Sequence, residues 1–228
     1  MHRRGKGKMN LKAIALSRAL AFIETIDLNP NGSVFFPDLC AGMVKNFRFQ
    51  KFPQTMAEMD ETKGIVFEGG TWSGNTILKL TIWNNALVID TRCSTEETKE
   101  ILTNALQWAA DNFALDYKEG MIKRWRYVTD LIVISEAPLL AVNPAATRLF
   151  DSVGKRVSEI IGEPFTYHPS RIVGDFERHP RNVPLAAMDI QRRADTPFSE
   201  NKYFSEAPLP TEIHYALLEQ YERDLLAK

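Results

Sequence analysis

A chain of 228 residues with 44% hydrophobic and 25% charged side chains has enough apolar material for a real core and the composition of a soluble globular protein. Its formal net charge of −1 excludes a whole-molecule field that would draw it to nucleic acid or to an anionic membrane. Two cysteines, Cys40 and Cys93, are too few for a disulfide framework and lack C-x-x-C spacing, which points to a reducing, cytoplasmic setting.

The opening M-H-R-R-G-K-G-K makes residues 1–10 a basic leader, expected to be disordered, ahead of a domain over 11–228. The apolar run at 13–26 is interrupted by Ser17, Arg18 and Glu24, so it is neither a membrane span nor a secretory segment. Over 11–26, Ile14, Ala15, Ala19, Phe22, Ile23 and Ile26 recur near the helical period and predict an amphipathic helix, stopped by N-P-N-G at 29–32. Pro37-Asp38 offers a helix start within 34–46. Phe47, Phe49 and Phe52 alternate with Arg48 and Lys51, which predicts a strand ending near Pro53; the polar stretch 54–63 reads as a loop. A second strand over 64–72 is broken by Gly69-Gly70, and Ser73-Gly74-Asn75 turns the chain.

Residues 76–113 state strand, turn, strand and capped helix without a gap. Leu78, Leu80 and Ile82 share one strand face, Asn84-Asn85 suits a two-residue hairpin because Asn tolerates positive φ, and Leu87 and Ile89 continue an apolar face on the return strand. Ser94 followed by Glu97 is a capping box, in which hydroxyl and carboxylate each satisfy a backbone N–H that the first helical turn leaves unpaired. Ile101, Ala105, Ala109 and Phe113 then form the helix's apolar stripe, flanked by Leu102, Leu106 and Trp108.

Residues 125–135 alternate and then run L-I-V-I-S, as an interior strand does. Asn143-Pro144 starts a helix that Gly162 ends, with Leu149, Phe150, Val153, Val157, Ile160 and Ile161 expected on its buried side. Residues 167–193 read as two strands joined by a basic turn and 196–210 as coil. Thr211 caps a last helix whose Ile213, Leu217, Tyr221 and Leu225 make one apolar face. The fold class is α+β: a single compact domain with a mixed or antiparallel sheet of about six to eight strands covered by about four helices. Strands followed by a capped helix at 64–113 and again at 168–226 suggest loosely duplicated halves, 47–113 and 125–228.

Motifs for dinucleotide and phosphate cradles, a nucleophile elbow and H-E-x-x-H are all missing from the sequence. The glycine-rich 69–74 segment does not open a helix and reads as a bulged hairpin connection. Cys93 sits just before a helix N-terminus, where the dipole favours a thiolate, but no base accompanies it. The densest functional cluster lies at 167–181. There Asp175 and Glu177 leave one strand face and His168 and His179 flank it, a donor set that suits a transition metal activating water; in the blander reading the acids pair with Arg171, Arg178 and Arg181. Lys123-Arg124-Trp125-Arg126-Tyr127 interleaves cations and aromatics as single-strand binders do, yet any half-buried strand shows the same alternation.

These features lean away from an enzyme and call for no cofactor. They favour a non-catalytic module that binds a partner protein or itself through an apolar helix face at one terminus, Leu217 and Tyr221 included, with nucleic acid and membrane disfavoured. The alternatives are a metal-dependent hydrolase or nuclease using His168, Asp175, Glu177 and His179, and a small-ligand sensor with an apolar pocket.

Overall fold

Residues 9–141, 143–175 and 186–227 are described by a computed structural model, and among them lie eight strands and five α-helices. In chain order these are β1 (Asn10–Phe22), α1 (Thr25–Leu28), α2 (Phe36–Phe47), β2 (Ile65–Trp72), β3 (Asn75–Trp83), β4 (Ala86–Thr91), α3 (Thr95–Phe113), β5 (Arg124–Ile134), α4 (Pro144–Ile161), β6 (Arg171–Gly174), β7 (Met188–Arg192), β8 (Lys202–Ala207) and α5 (Thr211–Leu226). The fold is α+β, with antiparallel strands hydrogen-bonded in the order β2-β3-β4-β1-β5-β8-β7-β6. Among the described residues a strand, helix (α1 and α2 the first time, α4 the second), a three-strand meander and a closing helix occur in that order twice. No helix among the described residues is long and apolar enough to cross a membrane.

Backbone contacts divide the chain into two units. The first takes the described residues of Met1–Ala13, Asp130–Ala207 and Ile213–Lys228; the second takes Ile14–Thr129 and Pro208–Glu212.

In the second unit, β1 replaces the expected helix over 11–26. Its buried positions, Ser17, Ala19 and Ala21, recur every second residue, and the larger Leu16, Leu20 and Phe22 point to the half-buried face. A run that is apolar on both faces satisfies the helical and the strand period alike, which is why the spacing misleads. Arg18 stands directly opposite Asp90 on β4, and its guanidinium grips both carboxylate oxygens at 2.7 Å. Ser73 and Gly74, both at positive φ, close the β2–β3 turn, the geometry that matches strand twist. The Asn84-Asn85 loop joins β3 to β4 without positive φ, contrary to the expectation for Asn there. A register shift between Ile77 and Lys79 puts Ile77, rather than Leu78, on the core face with Leu80 and Ile82.

The predicted strand over Phe47 to Pro53 is also corrected. Phe47 is the last residue of α2, Arg48 turns the chain at φ 56°, and Lys51 makes only an isolated bridge to Glu68. Phe47 and Phe49 nevertheless enter the core, where Phe47 meets Trp108 edge-on at 5.3 Å and Phe49 meets Phe67 at 5.2 Å. The capping box forms as expected: the Ser94 hydroxyl accepts from Glu97 N–H, and the Glu97 carboxylate accepts from Ser94 N–H at 3.0 Å. Residues α2 and α3 bury, among them Leu39, Met43, Leu102 and Leu106, join one core with β1 to β4.

In the first unit, β6, β7 and β8 form a meander, and β8 lies where coil was expected over 196–210. Tyr203, Ser205 and Ala207 are its buried positions; a serine and an alanine conceal the alternation. On α5 the buried line is His214, Leu218 and Glu222, so the stripe predicted through Ile213 and Leu217 faces outward.

Candidate functional site

Of the sequence-predicted metal cluster, two residues lie among those described. His168 lies against the Phe198 ring at 4.3 Å, Asp175 follows the end of β6, and Glu177 and His179 fall outside the described residues. Among the described residues no three His, Cys, Asp or Glu side chains converge as a metal would require. Arg171 instead takes both oxygens of Asp189 at 2.9 Å, a partner the sequence did not suggest.

Cys93 Sγ sits 3.1 Å from the Thr91 hydroxyl and 3.7 Å from the Thr98 hydroxyl. Burial pushes the Cys40 thiol up to about 12, which keeps it protonated and inert. Trp125 and Tyr127 stack at 6.4 Å and pack against the core, with the Lys99 ammonium over Trp125, while Arg124 covers Phe22. The aromatic rings and the arginines are thus turned to different sides rather than presented together to a nucleic-acid strand.

His214 and Ser205 resemble a base and nucleophile pair only superficially. Ser205 donates its proton to the Asp189 carbonyl at 2.8 Å, so it accepts from His214 Nε2 at 2.9 Å, and both residues are fully buried. Desolvation pulls the imidazole down to about 4, so it is neutral at ordinary pH. Nearby, buried Glu222 accepts from the Ser135 hydroxyl and the Glu136 N–H, both at 2.7 Å, and fixes the turn that leaves β5.

Two features escaped the sequence. The first is α4. Asn143 caps it, accepting from the N–H groups of Ala145 and Ala146, and Gly162 ends it at φ 82° with its N–H on the Ser158 carbonyl. The following segment lies back along one flank: Phe165 N–H donates to the Ser158 hydroxyl, and a Cβ at Gly154 would come within 2.9 Å of the Phe165 carbonyl oxygen. Gly154 is the one fully buried residue of α4. Leu149, Val153, Ile160 and Ile161, expected to be buried, are exposed, Ile160 to 83% of its surface. The pattern that predicted a buried side was read correctly as amphipathic, but amphipathicity does not say whether the cover is supplied by the same chain.

The second is an apolar pocket of about 130 Å³ in the second unit, lined by α1, α2, α3 and the sheet and open to solvent beside Glu61. Met43, Phe47, Leu80, Leu102 and Leu106 form much of its wall, with Thr25 and Glu61 at the polar edge. Protein interiors are close-packed, so a recess of this size among leucine, phenylalanine and methionine side chains is a departure from ordinary packing. No periodicity or motif encodes such a space, because its walls come from segments up to ninety residues apart.

No family model matches the chain, and no curated protein matches it.

Proposed function

We propose that the protein is a non-catalytic assembly module that pairs with a second copy of itself through the apolar face of α4. The carrying observation is the uncovered line of Leu149, Val153, Ile160 and Ile161 on a well-capped helix. Isolated exposed apolar residues are ordinary, but a contiguous stripe on one helix marks a contact surface. An α-helix of 18 residues is about 27 Å long, and each large aliphatic side chain contributes about 1.5–3 kcal/mol when covered, so two such faces supply a stable dimer's driving force. A self-pairing partner is favoured by charge: at a net −1 the copies do not repel, and Arg156, which lies between Val153 and Ile160 on the same side of the helix, is neutralised by Glu159 3.0 Å away. Leu217, 53% exposed on α5, extends the same reading to a second apolar contact, whereas Tyr221 is tied to the Leu139 carbonyl by its hydroxyl.

Light scattering over a concentration series tests this. Wild type should move from monomer to dimer, Ile160→Glu with Leu149→Glu should remain monomeric with unchanged circular dichroism, and Leu217→Glu measures what α5 adds. A wild type that stays monomeric up to about 100 µM overturns the self-pairing. A stoichiometric transition metal lost on Asp175→Ala would instead favour the hydrolase.

A further inference from the structure

We propose that the apolar cavity of the second unit is a binding site for a small amine whose body is a single aromatic ring or a short aliphatic chain. The size argument comes first. At about 130 Å³ the space approaches the roughly 150 Å³ at which an apolar cavity in a protein core accepts benzene. Its wall of leucine, isoleucine, phenylalanine and methionine offers dispersion contacts and no hydrogen bonds, so water gains nothing by entering.

The edge chemistry selects the head group. Glu61 is the one ionisable residue in the lining, and it is exposed, so its carboxylate meets solvent and an incoming ligand together. One of its oxygens, Oε2, lies 3.0 Å from the Thr25 hydroxyl, which orients the group and leaves the other oxygen for a cation. The Asn29 amide is already committed, donating to the Val34 carbonyl and accepting from the Val34 N–H, so it holds the 29–34 turn beside the cavity rather than serving the ligand. An ammonium on an apolar body satisfies both parts: the body fills the void and the charge pairs with Glu61 at the edge. A carboxylate on the same body would meet like charge there and be rejected.

This inference does not depend on assembly through α4. Calorimetric titration and ligand-observed NMR with phenethylamine, hexylamine and hexanoate provide the test. Both amines should bind saturably at one site per chain and raise the thermal midpoint, and hexanoate should bind at least about ten-fold more weakly. Glu61→Gln should bring amine and acid to within about two-fold of each other. Ala105→Phe, which fills the cavity from α3, should abolish binding of every probe with circular dichroism unchanged; should that variant not fold, Leu115→Trp fills the space from a loop instead. Ile160→Glu should bind the amines as wild type does, which separates this site from the pairing surface. No saturable binding of either amine up to about 10 mM, or equal binding by wild type and a filled variant that folds, overturns the proposal.

Discussion

Thr95 and Thr211 cap each other: the N–H of Thr95 donates to the Thr211 hydroxyl at 2.9 Å, and the N–H of Thr211 donates to the Thr95 hydroxyl at 2.8 Å. They are the first residues of α3 and α5, where helical N–H groups have no partner inside their own helix. Both side chains are buried, so water offers no substitute. Thr95→Val or Thr211→Val keeps the shape and removes one acceptor, at an expected cost of about 1–3 kcal/mol each. The hydroxyls also touch at 3.2 Å, so the double variant should cost less than the two singles added, as read from urea denaturation midpoints. Strict additivity would show that the two caps act independently.

Ser94→Ala should lower stability by about 1 kcal/mol, because the Glu97 N–H loses its acceptor and the Glu97 carboxylate loses the hydroxyl it holds at 2.9 Å. Faster amide exchange should be confined to the first turn of α3. An unchanged denaturation midpoint would mean that solvent replaces the box without cost.

Acid should destabilise the protein through His214. Its folded value of about 4 lies below the ordinary 6.5, so as pH falls the unfolded chain binds the proton first. The contribution of the neutral imidazole is complete above about pH 6.5 and is lost progressively toward pH 4, an expected loss of about 3 kcal/mol. His214→Gln should flatten that part of the stability profile, whatever its effect at neutral pH. A variant whose profile between pH 6.5 and 4 keeps the wild-type slope would show that His214 is not the group responsible.

Gly42 lets α2 pass close to the end of α3, since a Cβ there would fall within the Phe113 ring. Gly42→Ala gains up to about 1 kcal/mol of helix propensity but forces the ring aside, and overpacking of this kind costs about 1–3 kcal/mol. The single variant should therefore be less stable, and adding Phe113→Leu should restore it. A stabilised Gly42→Ala would mean that the ring swings away freely.

Local grammar was legible in the sequence and distant grammar was not. The Ser94 box, the Asn143 cap with Pro144 and the Gly162 stop each depend on residues a few positions apart, and each formed as read. The Thr95–Thr211 exchange joins residues 116 positions apart and leaves no local trace. Strands failed where small residues line the buried face: Ser17, Ala19 and Ala21 on β1, and Ser205 and Ala207 on β8, are too short to stand out against larger neighbours. Phe47 and Phe49 failed for the opposite reason, two large rings in apparent alternation although Arg48 between them breaks the chain direction at φ 56°. For the candidate site the limit was different in kind. The amphipathic face of α4 is written in its sequence, but its exposure depends on what else packs there, and the cavity exists only once α1, α2, α3 and the sheet have closed around it.

The most direct measurement is residue-resolved amide exchange of wild-type protein at about 1 µM and at about 100 µM. Pairing through α4 predicts that protection rises with concentration over 149–161 and not over α3, and that Ile160→Glu abolishes the rise. Protection that is the same at both concentrations, or that rises everywhere except α4, would contradict it.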